Sequence, residues 1–118
     1  VLLWTLNPIQ EPLMADPDNL PVINNTDDGR FEIRIGDDVA YAEYRLLKTG
    51  ILFPHTEVPP AFEGQGVGSK LVRAGLDYAR EHGQAVMPVC PFFASYIKRH
   101  AEYQDLLHPD YRKSLGLD

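Results

Sequence analysis

The sequence predicts an α/β domain of the α+β kind: a mixed sheet that begins with antiparallel strands, then a glycine loop, a helix, a strand and a second helix. Three observations lead there. Residues 31–58 alternate apolar and polar side chains between short polar turns, as half-buried strands do. A run of three glycines at alternate positions, Glu63-Gly64-Gln65-Gly66-Val67-Gly68, sits directly before the longest stretch with helical spacing of apolar residues. A short apolar run bounded by Gly83 and Pro91 follows that stretch.

In chain order, residues 1–26 contain Pro8, Pro12, Pro17 and Pro21. Each removes a backbone donor and restricts the residue before it, so no long helix or central strand fits, and the segment is expected to be a disordered or extended tail. Met14, followed by Ala-Asp-Pro-Asp, is a candidate native start, which would make residues 1–13 an upstream extension. The remaining residues, 27–118, are read as a single domain. Phe31, Ile33 and Ile35 share one face of a first strand, with Glu32 and Arg34 on the other. Gly36-Asp37-Asp38 turns the chain into a second strand over 39–47, and Lys48-Thr49-Gly50 turns it into a third over 51–58. Connections this short imply antiparallel neighbours. Val67, Leu71, Val72, Gly75, Leu76 and Ala79 fall on one face of a helix over 67–82, which Gly83 ends. Residues 85–89 are too few for a helix and read as a buried strand. Pro91 suits the first turn of a helix reaching about residue 100, with Phe93, Ile97 and His100 on one side.

A chain of 118 residues has room for one core, and 44% hydrophobic with 24% charged residues is the balance of a folded soluble protein. The formal net charge of -6 argues against a general nucleic-acid binder, which needs a surplus of Lys and Arg. A lone cysteine, Cys90, cannot form an intrachain disulfide, so a cytoplasmic location is expected. No apolar run approaches the roughly 20 residues of a membrane span, and no membrane partner is expected. No metal-ligand set is expected.

The glycine loop carries the clearest chemistry. Glycines let the backbone approach an anion, and the unpaired first-turn amides of the following helix, aided by its dipole, offer donors to phosphate oxygens. Ser69 and Lys70 would add a hydroxyl and a charge. The same string also describes a plain flexible turn before a helix. It lacks the Gly-Lys-Ser/Thr ending of a P-loop, and no early strand opens a dinucleotide fold.

The order of elements, together with His55-Thr56-Glu57-Val58-Pro59-Pro60, Gly64-Gln65-Gly66-Val67-Gly68 and Cys90-Pro91-Phe92 with Tyr96-Ile97, resembles the Gcn5-related N-acetyltransferase superfamily. Within it, the subgroup of minimal acetyltransferase-like domains is most similar. The resemblance covers residues 31–107. It implies acetyl-CoA as cofactor, its pyrophosphate on the loop amides, a sheet that splays to admit the pantetheine arm, and a cofactor site of Val58, Gly64, Gln65, Gly66, Val67, Gly68, Ser69 and Lys70. Glu63 departs from the superfamily's pattern, which has Gln or Arg at that place, and sets an anion beside two phosphates.

Four residues are catalytic candidates, each with a plainer reading beside it. His55 and Glu57, two apart on the third strand, should share a face and could take the proton of an amine; they could equally be ordinary polar strand residues. Cys90 precedes a helix start, where a thiol pKa falls, yet lone cysteines are commonly small buried hydrophobes. If it reacts, transfer passes through an acetyl-cysteine; if not, the amine attacks the thioester directly. Tyr96 stands where the superfamily often has the proton donor to the departing thiolate, or it packs against the sheet. Lys98 and Arg99 face either phosphates or solvent. The expected activity is transfer of acetyl to an amine on a small molecule or a protein; the alternative is a catalytically inactive CoA-binding sensor or interaction module.

Overall fold

The computed structural model describes residues 20–117. Their elements are β1 (Ile23–Asn25), β2 (Arg30–Ile35), β3 (Asp38–Glu43), β4 (Arg45–Leu47), β5 (Gly50–Leu52), β6 (Thr56–Glu57), a 3-10 turn (Pro60–Phe62), α1 (Val67–Glu81), β7 (Val86–Met87), α2 (Pro91–Arg99), a 3-10 segment (Ala101–Leu106) and α3 (Pro109–Ser114). They form a four-stranded sheet, β1-β2-β3-β6, and a three-stranded sheet, β4-β5-β7. Every pairing is antiparallel except β5 with β7. The α+β class with antiparallel strands before the glycine loop is thus observed.

Residues 1–19 lie outside the described residues, so most of the expected tail does too. Its expected end at residue 26 moves, because Ile23–Asn25 pair with β2. A three-residue strand at the sheet edge is compatible with Pro21 just before it, since an edge strand needs only one side paired.

The second and third expected strands are each divided. Between β3 and β4, the Tyr44 amide bonds to the Gly29 carbonyl at 2.9 Å instead of continuing a ladder, and its hydroxyl donates to Asn24 Oδ1 at 2.8 Å. Between β5 and β6 stands Pro54, which has no amide to give. Each break moves the chain from one sheet to the other, which alternation of side chains does not reveal.

Phe31, Ile33 and Ile35 face the core as their spacing predicts. Glu32, on the opposite face, is also buried, at 1% exposure. Its carboxylate accepts from Arg30, Asn25 and Arg34, and the Arg30 guanidinium lies 4.5 Å over the Tyr41 ring. Burial pushes the Glu32 carboxyl pKa up, but the hydrogen bonds from Arg30, Asn25 and Arg34 outweigh it and leave the pKa below its ordinary value.

Helix α1 packs the face that the sequence predicts, with Val67, Leu71, Val72, Gly75, Leu76 and Ala79 buried. Gly75 admits the Phe53 ring: a Cβ there would stand 2.8 Å from Phe53 Cε1, and Phe53 stacks on Phe93 of α2 at 4.2 Å. The strand expected over 85–89 is shorter. Pro88 gives no amide, and Val89 is 50% exposed, while the Cys90 amide rejoins the ladder by bonding to the Phe53 carbonyl at 2.8 Å. The chain after α2, unread in the sequence, is fastened to α1 by Arg80, which donates to both Asp105 carboxylate oxygens at 3.0 Å. It also reaches β7, where the His108 amide bonds to the Val86 carbonyl at 2.9 Å. Among the described residues no helix is long and apolar enough to cross a membrane.

Candidate active site at the split between the sheets

Strands β5 and β7 run parallel, with Ile51 beside Val86 and Leu52 beside Met87. The ladder continues as far as Phe53, whose amide bonds to the Met87 carbonyl at 3.1 Å. Past that point the two chains separate. One turns toward β3, where Thr56 pairs with Ala42 and Glu57 with Tyr41; the other passes through Cys90 into α2. The parting is a consequence of sequence, because Pro54 and Pro91 each deny the strands a donor.

Side-chain alternation on the diverging strand sorts its residues. Thr56 turns inward, and the Cys90 thiol donates to its hydroxyl at 3.5 Å. His55 and Glu57 share the outer face, as predicted, with His55 Nε2 2.9 Å from Glu57 Oε1. Both are about half exposed, at 51% and 54%, and the His55 ring stands edge-on to Tyr41 at 6.1 Å.

Beyond β6 the Pro60–Phe62 turn leads into the glycine loop. Gly64 and Gly66 adopt left-handed φ values of 82° and 81°, and a Cβ at either would point into open space. The left-handed conformation itself is what selects glycine there. Gly66 caps α1 without a side-chain hydrogen bond, and the first intrahelical bond runs from the Lys70 amide to the Gly66 carbonyl at 3.0 Å. The amides of Val67, Gly68 and Ser69 therefore have no acceptor within the helix, at the positive end of its dipole.

The loop and β6 border a cleft of about 570 Å³. Of the expected cofactor residues, Val58, Gly64, Gly66, Val67, Gly68 and Ser69 line it, joined by the catalytic candidate Glu57. Gln65 turns aside, its amide group donating to the Ala61 carbonyl at 3.3 Å, and the Lys70 ammonium donates to the Leu20 carbonyl. His55 and Cys90 are not in the lining, although Cys90 reaches it through Thr56. Cys90 is buried at 5% exposure. Tyr96 is buried too, stacked on His100 at 3.8 Å and 6.1 Å from the Tyr103 ring, away from the lining. Lys98 and Arg99 are exposed, and Arg99 bonds to Ser95 Oγ at 2.7 Å.

Four lining residues were not among the expected site: Thr56, Phe62, Glu63 and Phe92. The signal for Thr56 was its place between two outward-facing candidates, which turns it to the interior. Phe92 stands within the Cys90-Pro91-Phe92 motif and Phe62 beside the glycine loop, but no spacing marked either as lining the cleft.

The donor set suits a diphosphate. Two left-handed glycines with open space beside them, followed by amides unpaired at the start of a 15-residue helix, form a cradle for phosphate oxygens. Glu63 lines the same cleft, where a negative charge works against a bound anion.

Residues 30–106 match the family model of the GCN5-related N-acetyl-transferases. The chain is 33% identical over 85 residues to the protein NATD1 of Xenopus tropicalis, covering 68% of this chain and 78% of that one. The NATD1 protein of Mus musculus is also 33% identical over 85 residues, with 68% and 77% covered. An NMR solution structure of a GCN5-like protein from Staphylococcus aureus superposes with a TM-score of 0.61 at 32% identity, covering 76% of this chain and 89% of that one. With a mixed sheet that parts beside an uncapped helix start, and with this match over most of its length, the chain belongs to the GCN5-related N-acetyltransferase family.

Proposed function

We propose that the protein is an acetyl-CoA-dependent N-acetyltransferase acting on an amine. The observation that carries this reading is the position of the Val67, Gly68 and Ser69 amides beside the point where the chains of β5 and β7 part. Backbone donors at a helix start favour a phosphate, and the adjoining split gives a linear arm a way inward. Acetyl-CoA, when bound, supplies the thioester. Glu57, which both lines the cleft and pairs with His55, receives the proton of the incoming ammonium, directly or through water, and His55 holds the carboxylate in place. Cys90, buried and donating to Thr56, closes the floor of the split rather than attacking. The acceptor is an amine on a small molecule or a protein.

A second reading is supported by one observation. Tyr96, the expected proton donor to the departing thiolate, stacks on His100 outside the cleft lining, which favours a CoA-binding module without turnover. An acetyl-CoA consumption assay over a panel of primary amines and peptides separates the two. Turnover that falls at least tenfold in Glu57→Gln supports the transferase; CoA binding without turnover on any acceptor supports the module.

A further inference from the structure

Phe92 is an aromatic residue that the core does not use. It stands in the first turn of α2 with 39% exposure, while its neighbour Phe93 is fully buried. Its ring nevertheless has a fixed seat. A Cβ on Gly68 would stand 2.8 Å from Phe92 Cε2 and Cζ, and 3.6 Å from Val58 Cγ2. Gly68 lies inside α1 and is not among the glycines with positive φ, so the backbone does not call for glycine there. What does is the ring that occupies the space.

The place of this contact gives it meaning. Val58 and Phe92 each lie two residues beyond the facing pair Thr56 and Cys90. Val58, Gly68 and Phe92 thus form an outer rung of the split and Thr56 with Cys90 an inner one. Gly68 is itself one of the first-turn residues of α1, so the rung adjoins the amides at the helix start. A ligand anchored by phosphates on those amides has the Phe92 ring beside it in the same cleft. All three outer-rung residues line the same cleft. An exposed ring held against a helix backbone offers dispersion contacts to a flexible chain and nothing to a phosphate.

We propose that Phe92, seated on Gly68, is the apolar wall that holds the pantetheine arm of the cofactor and makes the site distinguish CoA from nucleotides that lack the arm. This rests on the cofactor assignment above and adds a residue to it.

The test is calorimetric titration of wild type and Phe92→Ala with CoA and with adenosine 3′-phosphate 5′-diphosphate, which keeps the phosphates and lacks the arm. Phe92→Ala should weaken CoA about tenfold and leave the nucleotide within about twofold, with Phe92→Leu intermediate. Because Phe92 is partly exposed, the variant should melt near wild type, which a thermal scan verifies. Equal weakening of both ligands would overturn the inference, as would no weakening of CoA. Wild-type protein that binds neither ligand would instead overturn the cofactor assignment itself, and the inference with it.

Discussion

The Cys90 thiol donates to the Thr56 hydroxyl across the parting strands at 3.5 Å. The contact fixes Thr56 as the residue of the His55-Thr56-Glu57 stretch that faces the other segment.

A thiol at 5% exposure should be shielded from reagents in water. Cys90 in the native protein should react with a disulfide reagent roughly a hundredfold more slowly than in urea-unfolded protein, because reaction needs a local opening. Labelling at comparable rates in the two states would show that the thiol is open to solvent and return it to the list of nucleophiles.

The buried Glu32 makes stability sensitive to acid. Its folded pKa lies below the ordinary 4.5, so the stability it contributes is present above that value and is lost as pH falls through the folded pKa. Glu32→Gln should lower stability by about 1–3 kcal/mol at neutral pH, since the Arg30 side chain loses its charged partner. The variant should also show a shallower decline below about pH 4.5 than wild type in urea titrations. Parallel acid limbs for the two proteins would contradict the assignment.

Gly75 separates two opposing effects of a methyl group. Alanine in a helix interior gains about 1 kcal/mol over glycine, whereas forcing atoms into a packed core costs about 1–3 kcal/mol. The Cβ would stand 2.8 Å from a Phe53 ring that is itself fully buried and stacked on Phe93, so the ring cannot swing away. Gly75→Ala should therefore be destabilising by about 1 kcal/mol. In a Phe53→Leu background the same change should be neutral or stabilising. Destabilisation that persists there would place the clash elsewhere.

What the sequence disclosed follows from what is local. The apolar face of α1, the face carrying Phe31, Ile33 and Ile35, and the place of the glycine loop before α1 are set by spacing, and all were legible. The changes of sheet at Tyr44 and Pro54 were not, because they depend on which distant backbone group accepts an amide, such as the Gly29 carbonyl. The burial of Glu32 was hidden for the same reason: it needs Asn25 and two arginines to converge on a face that alternation marks as outer. At the site, the loop and the His55–Glu57 face could be read from residue spacing. Thr56, Phe62 and Phe92 became visible only when α1, α2 and β6 were brought together. The direction of Tyr96 was decided by His100 and Tyr103, partners beyond the motif that drew attention to it.

The central claim is that the amides after Gly66 bind the pyrophosphate of CoA, and thermal unfolding with added ligand tests it most directly. Wild type with acetyl-CoA or CoA at about 100 times the dissociation constant should gain about 2.7 kcal/mol, a rise in melting temperature of roughly 10 °C. Gly66→Glu places a carboxylate at the cradle and should melt lower on its own, since φ of 81° strains any side chain; the informative quantity is the ligand-induced rise, which should vanish in the variant. A wild type whose melting temperature responds to neither CoA form would contradict the account.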